Sequence, residues 1–127
     1  MATLLIKGSQ TSPLVKFDPG KGLLEISGRA IEENAIEFFK PLSEAVEKYA
    51  ASPAENTEID IKLEYINTAS TRCLLELFKS LDAIFKQGHK MVVNWYYEED
   101  DEGMLDTGKD VLGLSAIPFN LIPVQVM

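Results

Sequence analysis

The 127 residues suit one domain around one core, and 46% hydrophobic with 25% charged residues is the ordinary globular balance, which excludes long disorder, a fibrous chain and a two-domain enzyme with its own cofactor domain. Twelve basic against 20 acidic side chains leave a formal net charge of −8, a surface that repels the phosphate backbone of nucleic acid and the anionic leaflet of a membrane. One cysteine and one histidine can assemble neither a disulfide framework nor a structural zinc site within the chain.

The N-terminal MATLLIKGSQ has a short apolar run with no basic segment before it, so it does not read as a signal peptide. No stretch approaches the roughly 18 apolar residues that span a bilayer, so no membrane insertion is expected. With the lone thiol, these features point to a reducing, cytoplasmic setting.

Residues 4–7 and 14–17 read as short strands, and Asp18-Pro19-Gly20-Lys21-Gly22 supplies turn chemistry before a third strand at residues 23–27. A β-hairpin is the simplest reading of this region. From Glu32 the hydrophobic period changes to about 3.6 residues. Ile36, Phe39, Leu42, Val46 and Tyr49 form one stripe of a helix that Pro41 should kink or break. A loop follows at residues 51–56.

Residues 57–66 alternate as a strand, with Ile59, Ile61, Leu63 and Tyr65 on one face. A second amphipathic helix starts around Thr68, carries Leu74, Leu77, Phe78, Leu81, Ile84 and Phe85 inward, and ends at Gly88. The strand at residues 90–97 follows it, as a parallel β-α-β unit requires. After the acidic run Glu98-Glu99-Asp100-Asp101-Glu102, residues 103–114 hold one short polar helix. Residues 117–122 read as a last short strand or an extended tail, confined to an edge by its prolines. These elements predict a single α/β domain over residues 1–127, a mixed sheet whose helices cover mainly one face.

Catalytic chemistry is poorly supplied, and no enzymatic activity is expected. His89 sits in a helix-to-strand turn and reads as a solvated residue, not as a triad base. Cys73 lies in the first turns of a helix, where the dipole lowers a thiol pKa, but its neighbours Leu74 and Leu75 favour a buried small hydrophobe. Gly20-Lys21-Gly22 belongs to a hairpin and opens no helix, so it is no phosphate loop. The acidic run lacks the spacing and turn glycine of a calcium loop and reads first as a solvated cluster, then as a docking patch for a basic partner. No cofactor and no metal are expected.

The segment Tyr65-Ile66-Asn67-Thr68-Ala69-Ser70-Thr71-Arg72 carries a strand straight into a helix through small hydroxylated residues. Asn67 or Thr68 caps that helix, worth on the order of 1 kcal/mol. A phosphate on a hydroxyl here would meet unpaired N–H groups and the positive end of the dipole.

Four segments, taken together, resemble a known family: residues 28–42 (GRAIEENAIEFFKPL), 65–70 (YINTAS), 94–108 (NWYYEEDDEGMLDTG) and Pro118-Phe119. In their order and spacing the chain resembles the STAS fold of anti-sigma-factor antagonists and, more specifically, the SiaC family of bacterial regulatory phosphoproteins. The resemblance implies a STAS-like sandwich and a non-enzymatic switch phosphorylated on Thr68, which fills the motif's Asn-Thr position. It implies three protein partners: a serine/threonine kinase, a PP2C-type phosphatase, and a diguanylate cyclase that the unmodified form binds and activates, in cyclic-di-GMP signalling and biofilm regulation. Ala69 stands where a serine often follows that threonine, leaving Thr68, Ser70 and Thr71 as the local hydroxyls. Ile31-Glu32 stands where a proline commonly precedes the Glu33-Asn34 pair.

If phosphorylation competes with docking, residues near Thr68 belong to the interface: Asn67, Ser70, Thr71 and Arg72, with Glu33 and Asn34 across the sheet edge. Arg72, one helical turn beyond Thr68, either pairs with a phosphate or a partner carboxylate or remains a solvated surface arginine. Trp95-Tyr96-Tyr97 offers aromatic types suited to interface anchors, with one face expected on the core. Two alternatives stand beside the switch: an antagonist that sequesters an anti-sigma factor, and a small ligand-binding domain or enzyme using a pocket at the carboxyl ends of the strands.

Overall fold

The computed structural model describes residues 2–126. Three strands come first: β1 (Leu4–Ile6), β2 (Leu14–Asp18) and β3 (Leu23–Ala30). Helices and strands then alternate as α1 (Ala35–Tyr49), β4 (Asn56–Ile66), α2 (Thr68–Lys86), β5 (Lys90–Glu98), α3 (Glu102–Leu112) and β6 (Phe119–Val124). The strands form one six-stranded sheet in chain order. β1 with β2 and β2 with β3 pair antiparallel, while β3 with β4, β4 with β5 and β5 with β6 pair parallel.

The tight β2–β3 turn ends at Gly22, whose φ of 68° suits a residue without Cβ, and a side chain there would collide with the Asn56 carbonyl. Each parallel pair needs a crossover, and a helix supplies each one. The core lies between the helices and one face of the sheet, where Ile26, Ile59, Ile61, Leu63, Val93 and Trp95 meet Leu42, Tyr49, Leu74, Phe78 and Leu81. Tyr49 is fully buried yet satisfied: its hydroxyl lies 2.7 Å from Thr57 Oγ1 and accepts the Ala54 N–H at 3.1 Å.

Among the described residues the other face carries no helix, and its centre is polar. Asn94 Nδ2 donates to Asp60 Oδ1 at 2.9 Å, and Asn120 Nδ2 donates to Asn94 Oδ1 at 3.0 Å, a ladder across β4, β5 and β6. The Lys62 ammonium lies 5.1 Å from the centre of the Tyr96 ring.

Several expectations from sequence need correction. Ile36 is not part of the core stripe: it is 77% exposed, and Ala35 takes the inward place at the start of α1. The buried positions then run Ala35, Phe39, Leu42, Val46, Tyr49, and Ile36 falls about 100° around the helix from that line. Pro41 does not break α1, which runs unbroken through it; Pro41 and Glu37 are both exposed, so water can serve the carbonyl that loses its donor. Tyr65 leaves the inward face of β4 and is 56% exposed, because the pairing shifts register between Gly28 and Arg29 and resets the alternation. The Arg29 guanidinium sits 5.1 Å above its ring. The acidic run is also less uniformly solvated than expected: Glu98 ends β5, and Asp101 caps α3 by accepting the Met104 N–H at 3.0 Å. Ile117 belongs to the core, and β6 begins two residues later.

Gly108 of α3 packs closely against the indole of Trp95, whose Nε1 donates to the Met104 carbonyl at 3.1 Å. A Cβ at this position would stand 2.7–2.9 Å from three indole atoms. Gly108→Ala is therefore expected to destabilise the fold, because overpacking at about 1–3 kcal/mol outweighs the ~1 kcal/mol that alanine gains over glycine in a helix. Urea denaturation checks this; a raised midpoint would show that the indole yields without strain.

Candidate functional site

The carboxyl ends of β3 and β4 lie side by side, and the β3–α1 loop and the start of α2 leave from them. Asn67 joins the two. It is extended (φ −94°, ψ 171°), and its Oδ1 accepts the Ser70 N–H at 2.8 Å, capping α2. Its backbone N–H donates to the Ala30 carbonyl at 3.0 Å, and its Nδ2 donates to the Glu32 carbonyl at 3.1 Å. One side chain thus caps a helix and staples the neighbouring loop to it.

Thr68 is the first residue of α2 and is exposed. Its hydroxyl has no hydrogen bond among the described residues. The other two local hydroxyls differ. Thr71 Oγ1 donates to the Asn67 carbonyl at 2.9 Å, so it is committed to the helix. Ser70 is 0% exposed, and its Oγ is buried without a partner. Ser70, expected at the docking surface, therefore faces inward, where α2 turns its third residue to the core. Of the three hydroxyls, only that of Thr68 is both accessible and uncommitted.

Arg72 is exposed, one turn along α2 from Thr68, and makes no ion pair among the described residues. Glu33 and Asn34 are exposed in the adjoining loop, and Asn34 caps α1 by a long contact of 3.5 Å from the Glu37 N–H. The first turn of α1 carries Glu37 and that of α3 carries Glu102, whereas the first turn of α2 has no acid. The positive end of the α2 dipole is left without a fixed negative partner of its own.

One residue of this cluster escapes sequence reasoning. Glu32 Oε2 accepts the Ser12 hydroxyl at 2.6 Å and the Thr11 hydroxyl at 3.2 Å, from a turn some twenty residues earlier in the chain. The Ser12 bond above all, then those of Thr11 and the Glu33 and Asn34 N–H groups, hold the carboxyl below its ordinary pKa, against some opposing desolvation. Its position just ahead of the Glu33-Asn34 pair is the only signal the sequence offers.

Catalytic groups do not gather here. Cys73 is half-buried, and burial pushes its thiol pKa up, opposite to the activation a helix dipole would give. Among the described residues no three His, Cys, Asp or Glu side chains converge as metal ligands, and no helix is long and apolar enough to cross a membrane.

Two outcomes are expected. Asn67→Ala should lower the free energy of unfolding by about 1–2 kcal/mol, the upper range for a lost cap, in urea denaturation; an unchanged value would show that water replaces the cap. The second concerns pH. A carboxyl whose pKa is depressed on folding contributes stability above its unfolded pKa and loses it as pH falls through the folded value. The stability gap between wild type and Glu32→Gln should be constant near neutral pH and shrink as the solution is acidified through that range, in denaturation curves followed by Trp95 fluorescence. A gap that stays constant to the acid end would contradict the assignment.

A family model described as SiaC family regulatory phosphoprotein matches residues 6–124. An uncharacterized protein of Pseudomonas aeruginosa (strain UCBPP-PA14) is 26% identical over 119 residues, 94% of each chain. Apo-SiaC from Pseudomonas aeruginosa is 25% identical, with a TM-score of 0.87 over 96% of this chain and 99% of that one. A chain in the crystal structure of the diguanylate cyclase SiaD in complex with its activator SiaC, from the same bacterium, has the same fold at 24% identity, with a TM-score of 0.88 over 95% of this chain and 99% of that one.

Proposed function

Since this chain belongs to the SiaC family of regulatory phosphoproteins, we propose that it is a non-enzymatic switch in which reversible phosphorylation of Thr68 controls docking, and that the unmodified form binds and activates a diguanylate cyclase. The observation that carries this reading is the state of Thr68: first in its helix, and the one local hydroxyl that is both exposed and free of a hydrogen bond among the described residues. A kinase can reach it without unfolding the chain. A serine/threonine kinase adds the phosphate and a PP2C-type phosphatase removes it.

The physics of the switch is local. Phosphorylation adds about −1.5 to −2 charges at one point on the surface. The phosphate faces free N–H groups at the start of α2 and a dipole with no first-turn acid to repel it, so the helix accommodates it. A partner that packs against this edge, over Asn67, Thr71 and Arg72 of α2 and over Glu33 and Asn34 of the β3–α1 loop, then meets new bulk and charge in place of a small hydroxyl. The activator SiaC in the SiaD complex shares this fold, which supports a cyclase as the partner and links the switch to cyclic-di-GMP signalling.

Incubation with the cognate kinase and ATP, followed by intact mass and peptide mapping, should place one phosphate on Thr68; a phosphate elsewhere, or none, would sink the assignment. Calorimetry against the cyclase should show Thr68→Ala binding like wild type and Thr68→Asp weakened tenfold or more, about 1.4 kcal/mol. Equal affinities for the two variants would argue against control by charge.

A further inference from the structure

The β1–β2 turn at residues 9–12 has no part in the switch as described, yet it is built with care. Ser9 Oγ accepts the Thr11 and Ser12 N–H groups at 3.2 and 3.0 Å, and the Ser9 N–H donates to the Ser12 carbonyl at 2.8 Å. Ser12 is 8% exposed, which turns its hydroxyl toward the protein. From there a continuous series of hydrogen bonds leads to the start of α2. Ser12 and Thr11 donate to the Glu32 carboxylate, and the Ile31 N–H donates to the Thr11 carbonyl at 2.9 Å. The Glu32 carbonyl then accepts from Asn67 Nδ2, and Asn67 Oδ1 takes the Ser70 N–H.

Resting on the reading of Thr68 above, we infer that Glu32 is a positioning residue of the switch: by tying the turn at residues 9–12 to the residue that caps α2, it fixes where Thr68 stands. The assignment follows from what Glu32 touches. Its side chain grips the turn on one side of the loop, and its backbone carbonyl grips Asn67 on the other, so the loop cannot shift without disturbing one of the two. No Lys or Arg pairs with the carboxylate among the described residues. The groups that meet it are two hydroxyls and the N–H groups of Glu33 and Asn34, all directional donors that set a position as well as a charge. Among the described residues, the Asn67 to Glu32 bond is the one side-chain hydrogen bond from the capped end of α2 to the neighbouring loop. The turn at residues 9–12 and the capped start of α2, on which Thr68 stands, are therefore two ends of one hydrogen-bonded series, and an event at either is felt at the other.

The test uses the full chain as wild type, Glu32→Ala, Glu32→Gln and Ser12→Ala, with Glu44→Ala on the exposed side of α1 as control. Amide hydrogen exchange at neutral pH is followed by NMR. Glu32→Ala is expected to speed exchange of the Asn67 and Ser70 amides at least tenfold while leaving Leu77 and Leu81 in the middle of α2 unchanged. Ser12→Ala should show the same pattern more weakly. Glu32→Gln, which keeps an acceptor oxygen for Ser12, should retain most of the protection, and Glu44→Ala all of it. Unchanged Asn67 and Ser70 amides in Glu32→Ala overturn the inference, and so does a loss spread evenly over α2 and the sheet, which is what a general weakening of the fold would give.

The same proteins are then offered to the kinase. Phosphorylation of Thr68 should slow at least fivefold in Glu32→Ala and recover in Glu32→Gln; equal rates in all variants overturn a positioning role. If wild type itself takes no phosphate on Thr68, the proposed function fails, and the exchange data alone still decide whether Glu32 holds the start of α2.

Discussion

A crossover between neighbouring parallel strands turns with one hand, and this chain makes three such crossovers in succession, each stepping one strand further in the same direction. That constraint sets the rest of the molecule. With a common hand and a common direction, α1, α2 and α3 must all lie on one face of the sheet, and their buried stripes meet there. The opposite face is left to a polar ladder of Asp60, Asn94 and Asn120. Because every helix leaves from the carboxyl end of a strand, the starts of the helices gather at one edge. Topology alone thus brings the three helix starts together at one edge of the sheet.

At that edge the helix ends are finished in different ways. Asn34, Asn67 and Asp101 cap the three helices, and two of the three first turns also carry an acid. The exception is α2, whose first residue is Thr68. Its cap does double duty, since Asn67 reaches across to the β3–α1 loop as well as to Ser70. Capping is the ordinary reason for an asparagine here. The cross-link to Glu32 goes beyond capping, and it connects the start of α2 to a turn near the N-terminus.

Much of the fold is legible in the residues. The alternation of Ile59, Ile61 and Leu63 and the helical spacing of Leu74, Leu77, Phe78, Leu81 and Ile84 mark β4 and α2 because the pleat and the helical turn repeat at fixed intervals. The hairpin, the edge position of β6 and the coverage of one face follow from turn residues, prolines and crossovers. Legibility fails where a single residue decides. Ile36 is apolar and adjacent to the stripe, but the phase of α1 is set by Ala35 and Phe39, and one residue is 100° of rotation. Tyr65 continues the alternation of β4 on paper, but an irregularity in its pairing with β3 turns it out. Pro41 is a breaker by its chemistry and harmless on the side of a helix that faces water.

The sequence by itself determined the class of the domain, the order of its elements and the segment where β4 runs into α2, because hydrophobic period, turn chemistry and the Asn-Thr helix start are local properties that need no partner to be recognised. It also named Thr68, through the match of a motif. Only the tertiary structure separated Thr68 from Ser70 and Thr71, since whether a hydroxyl is buried, bonded or free depends on which face of α2 meets the sheet and where the Asn67 carbonyl points. Only the tertiary structure brought Glu32 to Ser12 and Asn67, three positions far apart in the chain, because hydrogen bonds across sequence form only after the strands have aligned.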